Sequence, residues 1–322
     1  MGASKKIMLV GEPMALFLAD ELGELENVSH FHTGIAGAEL NVAIGLSRLE
    51  HPVSYLTKVG NDPFGRKVVH TLEENGIDTS LVCTSEERPT GFMLKQKVLK
   101  GDPGIFYFRK NSAASTLSCE DIDHIDFSQY CGVHMTGIFP ALSAETRRAA
   151  VYLMQKAKKA GLFVSFDPNL RPQLWNSREE MKAVINQLAV MADLFLPGYK
   201  EGEILMGSRE PKQIAEYYLS KGVKTIVIKT GSKGAYGATV KEALSCPTYQ
   251  ETAVVDTVGA GDGFAAGVLS ALAEELPLKE MMLRGNAIGT LQIENAGDNE
   301  GLPTRAKLKD FMDHTPLHTD KV

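Results

Sequence analysis

Short apolar runs alternate with amphipathic stretches along most of the chain. IMLV near residue 8, VSYLTKV near 56, GVHMTG near 134, FVSFD near 165, DLFLP near 195 and KTIVIKT near 227 have the length and the β-branched content of buried strands. Between them the apolar positions take up a helical repeat. Ala150, Leu153, Met154 and Ala157 fall on one face of residues 143–160, with Lys156, Lys158 and Lys159 elsewhere, and Met181, Val184, Ile185 and Leu188 do the same over residues 177–191. Strands alternating with core-packing helices predict an α/β fold built on a mostly parallel sheet.

Two stretches break the alternation. Residues 14–33 and 90–110 predict strand pairs with no helix between them, the second with the turn Lys100-Gly101-Asp102-Pro103-Gly104. A small sheet without helices of its own must cover something, either a ligand cleft or a partner's matching sheet. Within Ile105-Phe106-Tyr107-Phe108-Arg109-Lys110, Tyr107 and Arg109 share one strand face and Phe106 and Phe108 the other. If the greasy face packs on the small sheet, Tyr107 and Arg109 face the cleft, where a phenol and a guanidinium suit a carboxylate. The plain alternative is a surface arginine on an edge strand.

Composition narrows the classes. The 322 residues carry 34 Lys plus Arg against 40 Asp plus Glu, a formal net charge of −6, which argues against non-specific nucleic-acid binding. It leaves small anionic ligands open, because a local pair of arginines can hold one carboxylate whatever the total charge. Cys83, Cys119, Cys131 and Cys246 show neither zinc-site spacing nor a disulfide framework and are expected to be buried free thiols. With no apolar run of membrane-spanning length and no signal-peptide pattern at MGASKKIMLVGEP, a cytoplasmic protein without membrane contact is expected. The tail beyond Lys309 is expected to fray.

The most informative segment is Asp256-Thr257-Val258-Gly259-Ala260-Gly261-Asp262-Gly263. A strand-like TAVVD leads into a glycine turn, and a helix follows as far as Leu276, stopped by Pro277. Glycines there leave backbone N–H groups free at the positive end of a helix, which is an anion site. A carboxylate inside such a site repels a phosphate, so Asp262 makes sense as a base that takes a proton from an attacking hydroxyl. The competing reading, Asp262 as an N-cap beside a tight turn, is equally served by the spacing. The pattern is neither that of a P-loop nor that of a Rossmann dinucleotide site.

DTVGAGDGFAAG, residues 256–267, resembles the C-terminal signature of the ribokinase-like carbohydrate kinases of the PfkB type, and GIAGAELNVAIGLSRL, residues 34–49, resembles their N-terminal signature. The resemblance runs from Gly11-Glu12-Pro13 to Gly301-Leu302-Pro303. It implies a ribokinase-like three-layer core in one domain of residues 1–322, and a lid formed by about residues 14–33 and 88–111, often shared in a homo-oligomer. It further implies Asp262 as catalytic base, with Gly259, Ala260 and Gly261 supplying anion-hole amides. Lys229, Thr230, Gly231, Ser232 and Gly234 would form the nucleotide loop, Asn169 would join them, and Asn286, on a helix over residues 278–295, would lie near the adenosine. ATP and Mg²⁺ are implied, with room for a monovalent cation.

Gly11-Glu12-Pro13, Tyr107 with Arg109, residues 167–175 and residues 297–301 are similar to the branch of this family that phosphorylates 2-keto-3-deoxygluconate. The branch's substrate positions match Gly37, Asn41, Tyr107, Arg109, Ile138, Arg171 and Asp298, and Arg171 could equally reach the nucleotide phosphates. Arg109 and Arg171 are expected to make a locally positive site. Ala36 departs from the usual Gly-Gly, and Met93 stands where some relatives carry an aromatic residue. The Asn-x-x-Glu motif survives as Gly198-Tyr199-Lys200-Glu201, so only Glu201 is left for an indirect metal contact. The expected activity is ATP-dependent phosphorylation of a keto-deoxy sugar acid. Fructokinase and 5-keto-2-deoxygluconate kinase are the nearest alternatives, and a sugar-sensing regulator without turnover is the alternative of another class.

Overall fold

The computed structural model describes residues 5–98, 103–295 and 297–319; residues 100–102 of the expected turn lie outside them. Nine strands form the main sheet: β1 (Lys6–Val10), β4 (Val53–Gly60), β5 (Val82–Ser85), β8 (Tyr130–Thr136), β9 (Phe163–Asp167), β10 (Leu194–Phe195), β11 (Thr225–Lys229), β12 (Ala235–Thr239) and β13 (Ala243–Cys246). Their spatial order is β13-β12-β11-β10-β9-β8-β1-β4-β5. Pairing is parallel from β11 through β5; β12 and β13 add an antiparallel edge.

Alternation along each strand feeds two apolar layers. Ile7 and Leu9 of β1 point to one layer, and Met8 and Val10 to the other. The first layer is closed by α1 (Ala38–Arg48), α2 (Pro63–Glu74), α8 (Ala260–Ala273), α9 (Leu278–Ile293) and α10 (Arg305–His314). The second is closed by α3 (Cys119–Asp123), α4 (Ala144–Lys159), α5 (Arg178–Met191), α6 (Tyr199–Met206) and α7 (Pro211–Leu219). Helices on both faces of a parallel sheet make the α/β fold expected from the strand–helix alternation, with the three layers that the resemblance implied. The two helices read from periodicity start where their caps dictate: Ser143 opens α4 with a capping box to Thr146, and Ser177 accepts from the Glu180 N–H at the start of α5. Among the described residues no helix is long and apolar enough to cross a membrane.

The interruptions in the pattern form a second sheet of four strands, ordered β3-β2-β6-β7, from β2 (Met14–Leu22), β3 (Phe31–Ala36), β6 (Phe92–Lys97) and β7 (Ile105–Phe108). One face carries Met14, Leu16, Ala36, Met93, Ile105 and Tyr107. The Ala36 methyl is therefore absorbed by packing against Met14, Leu16 and Met93. On the other face Phe92 stacks on Phe108 with centroids 4.7 Å apart, and Phe17 meets Phe64 of α2 edge-on. Helix α2 covers only part of this aromatic face: Phe106 and Phe108 are 58% and 54% exposed.

Three expectations are corrected. TAVVD is not a strand, because it has none beside it; the Val255 and Asp256 N–H groups both go to the Ile293 carbonyl at the end of α9. The tail does not fray through residue 319. Arg305 donates to the Leu49 carbonyl, Leu308 is buried, and Leu317 bridges Tyr249. All four cysteines are free, but only Cys246 is buried, and Cys83 is exposed on the edge strand β5. The chain also turns back after β11 into β12 and β13, which their glycine- and alanine-rich sequence did not signal.

Leu308 is the apolar anchor of α10. Leu308→Ala is expected to cost about 2–3 kcal/mol in urea unfolding; a loose tail would show no change.

Candidate functional site

Two cavities open at the carboxyl ends of the parallel strands, where open α/β sheets bind ligands. The first, of about 330 Å³, lies between the ends of β9 and β11, the starts of α1 and α8, and the inner face of the small sheet. The second, of about 380 Å³, lies between α8, α9 and the β11–β12 turn. Lys229, Thr257 and Gly261 line both, so the cavities meet at the first turn of α8.

That turn is shaped by glycine. Gly259 caps α8 at φ 77°, and a Cβ there would stand 2.2 Å from the Asp298 carbonyl oxygen. Among the described residues the N–H groups of Gly259, Gly261 and Asp262 have no acceptor. The positive end of α8 is therefore presented at the junction of the cavities. Asp262 is the third residue of α8 and caps nothing, which removes the N-cap reading.

The Asp262 carboxylate instead accepts from the Asn41 amide of α1 at 2.9 Å and from Asn169 Nδ2 at 3.5 Å. Desolvation pushes its pKa up to about 7. Asp167 adds to the shift, against the Asn41 hydrogen bond and the charges of Arg171 and Lys229. A carboxylate half-protonated near neutrality, beside open helix amides, can exchange a proton with a ligand held in the first cavity.

Behind it, Lys229 at the end of β11 pairs with Asp167 at the end of β9, Nζ to Oδ2, at 2.5 Å. Burial works against the ammonium, but Asp167 and Glu201 hold its pKa above the ordinary lysine value. The Glu201 carboxylate accepts the N–H groups of Leu170 and Gly198 at 2.8 and 2.7 Å. Its side chain thus ties the loop after β9 to the start of α6. Asn169, at φ 34°, bends that loop towards Asp262. Among the described residues no three His, Cys, Asp or Glu side chains converge as a metal site.

All seven residues expected on the substrate side, Gly37, Asn41, Tyr107, Arg109, Ile138, Arg171 and Asp298, line the first cavity. Two expected free charges are already paired. Arg109 meets the buried Glu12 through Nε and Nη2 at 2.6 and 2.5 Å, and Ser112 donates to the other Glu12 oxygen. Asp298 is paired with Lys95 of β6 at 3.0 Å. The expected locally positive site is thereby corrected: Asp167, Glu201, Asp262 and Asp298 line the cavity against Arg109, Arg171 and Lys229. Among the described residues, Arg171 is the cation of this lining with no carboxylate in an ion pair; its Nη1 donates to the Leu170 carbonyl.

The second cavity is lined by Gly231, Ser232, Gly234, Ala260 and Asn286, with Val254, Phe264 and Ile293 as apolar walls. Thr230 lies outside the lining and instead hydrogen-bonds its N–H to Gly234 O, closing the turn. Asn286 donates to the carbonyls of Cys246 and Pro247, fixing the loop after β13. Glu12, Lys95 and Asp167 carry parts of the first site that were not assigned from sequence. Asp167 had a signal, its place at the carboxyl end of a predicted strand; Lys95, in a strand that reads as half-exposed, had none.

The pfkB family carbohydrate kinase profile matches residues 4–305. The chain is 48% identical to the 2-dehydro-3-deoxygluconokinase of Bacillus subtilis (strain 168) over 94% of each protein. It is 31% identical to that of Thermoproteus tenax over 95% of this chain and 94% of the relative. The crystal structure of a PfkB protein from Polaromonas sp. JS666 superposes with a TM-score of 0.87 at 42% identity, covering 95% of this chain and 99% of that one.

The raised pKa of Asp262 has a sign for stability. The native state holds this proton more tightly than the unfolded chain does, so ionisation costs stability as pH rises from about 4 to about 7, and the full cost applies above that. Asp262→Asn is therefore expected to raise the melting temperature at pH 8 and to gain much less at pH 4. Equal shifts at both pH values would contradict a desolvated carboxylate.

Proposed function

Because the chain belongs to the PfkB family of carbohydrate kinases, we propose that it transfers the γ-phosphoryl group of ATP to the terminal hydroxyl of 2-keto-3-deoxygluconate. The observation that carries the mechanism is the Asp262 carboxylate, its pKa near 7, beside the open amides of α8. The sugar acid occupies the first cavity and the nucleotide the second. They meet at Lys229, Thr257 and Gly261, the residues that both cavities share.

Asp262 takes the proton of the terminal hydroxyl as its oxygen bonds to the γ-phosphorus, and the bond from phosphorus to the ADP oxygen breaks. The Gly259 and Gly261 N–H groups receive the charge on the transferred group, whereas the Ala260 N–H is directed at the Thr257 carbonyl at 3.4 Å. Arg171, unpaired at the junction, faces that group. Tyr107 and the remaining Arg109 N–H groups hold the sugar carboxylate, with Glu12 fixing the guanidinium plane. Gly37, Asn41 and Ile138 shape the wall opposite.

Adenine packs against Val254, Phe264 and Ile293, with Asn286 holding the loop beside it. Gly231, Ser232 and Gly234 give room for the phosphates, and Lys229 with Asn169 lies where they reach the first cavity. Mg²⁺, when bound, would supply positive charge that offsets the phosphates. Glu201, with both oxygens on backbone N–H groups, would help to hold it only indirectly. A cytoplasmic location is consistent with the use of ATP. The small sheet acts as the lid, and its uncovered aromatic face at Phe106 and Phe108 meets the same face of a second copy.

An ATP-consumption screen over fructose, 5-keto-2-deoxygluconate and 2-keto-3-deoxygluconate tests the reading. The keto-deoxy acid should give the highest kcat/KM, Arg109→Ala should reduce it at least tenfold, and fructose as the better substrate overturns the assignment. Asp262→Asn should lower kcat by a factor of about 10²–10⁴, and wild-type kcat should rise with pH to a plateau above about 7. Phe106→Asp with Phe108→Asp should yield monomer in sedimentation where the parent is dimeric; an unchanged mass removes the lid contact.

A further inference from the structure

Lys95 is a charged residue of β6 in the small sheet, yet it is 3% exposed. Its Nζ lies 3.0 Å from Asp298 Oδ1 and 3.3 Å from Asp256 Oδ2. Neither carboxylate belongs to the small sheet; both sit on loops of the main domain that hold the glycine turn. Asp256 Oδ1 accepts the Val258 N–H at 3.0 Å, and the Asp298 carbonyl closes over Gly259, whose missing Cβ leaves the space.

We propose that Lys95 is a positioning residue that couples closure of the small sheet to assembly of the anion-receiving amides of Gly259 and Gly261. With the ammonium between them, the two carboxylates lock the turn in the conformation that presents these N–H groups. With the sheet lifted, the carboxylates face each other without a cation, repel, and release the turn. Burial alone would lower the lysine pKa, but Asp298 and Asp256 hold it above the ordinary value, so the latch stays charged across the physiological range. The same movement that shuts the sugar cavity thus completes the site for phosphoryl transfer. ATP bound beneath an open sheet meets an unfinished site, which limits its hydrolysis by water.

The inference goes beyond the choice of sugar: it rests on phosphotransfer for its kinetic arm, while its structural arm needs no substrate. Lys95→Met keeps the length of the side chain and removes the charge. In hydrogen–deuterium exchange of the protein without ligands, peptides covering residues 92–97 and 256–262 should lose protection together, at least fivefold. With ATP and the sugar that the parent uses best, kcat should fall 10- to 100-fold, the KM for ATP should stay within threefold, and hydrolysis of ATP without sugar should stay at or below the parent's level. Unchanged protection at 256–262, or kcat within twofold of the parent, overturns the coupling whichever sugar is used. If Lys95→Met does not fold, Asp256→Asn decides by the same exchange measurement. Loosening of residues 92–97 supports the latch, and unaltered protection there refutes it.

Discussion

The close approach of three helices fixes the position of the Asp262 carboxylate, and the rest of the site is arranged around it. A Cβ on Gly45 of α1 would stand 2.7 Å from the Ala266 Cβ of α8, one on Gly267 of α8 would stand 2.7 Å from the Arg284 carbonyl of α9, and one on Gly285 would meet the Phe264 ring at 2.9 Å. Glycine on each side lets α8 sink between its neighbours. Asn41 lies four residues before Gly45, and Asp262 lies four before Ala266. The seam that brings Gly45 against Ala266 therefore brings Asn41 against Asp262 one turn earlier. Two positions 221 residues apart meet because one helix pair packs at backbone distance.

The same packing sets the chemistry. Asp262 stands among other carboxylates, with Asp167 and Glu201 behind it and Lys229 shared between those two. A single ammonium cannot neutralise all three, and desolvation leaves Asp262 the carboxyl whose proton comes off near neutrality. Burying the Asp262 carboxylate without letting it cap the helix is a cost to folding, because desolvation outweighs the favourable end of the helix dipole. It leaves the terminal N–H groups free for a ligand. Glu201 shows the contrast: its oxygens are spent on backbone amides, and its role is to hold the loop that carries Asn169 and Arg171.

Much of this was legible in the sequence. Strand–helix alternation named six strands of the main sheet, and the two helix-free stretches named the second sheet. The glycine turn marked the start of α8, because glycine at Gly259 answers a local demand, a positive φ beneath a carbonyl. What stayed hidden depends on pairing between distant segments. TAVVD has the composition of a strand but no strand to pair with. Lys95 falls in a stretch, Lys95-Gln96-Lys97, whose charge suggests an exposed edge, and only the fold brings two aspartates over it. Arg109 was legible as a cleft residue, but its partner Glu12 is 97 positions away.

These pairings change how charge can act in the cleft. The overall charge of −6 and the acidic lining of the first cavity both disfavour anions at long range, and most lining cations already have a carboxylate. Attraction between net charges therefore cannot be what selects an anionic sugar. On the proposed assignment, selection comes from donors fixed in place: the guanidinium of Arg109 held in plane by Glu12 and the hydroxyl of Tyr107. Such donors gain most when water is excluded, since an aligned hydrogen bond to a charged oxygen strengthens as the surroundings lose polarity. A neutral sugar of the same size would leave the Arg109 N–H groups not engaged by Glu12 unsatisfied inside a closed cavity, a penalty of about 1–3 kcal/mol for a buried polar group. On that assignment, discrimination between acid and neutral sugar belongs to the closed state, and the sheet that carries Tyr107 and leads into Arg109 is the one proposed to close.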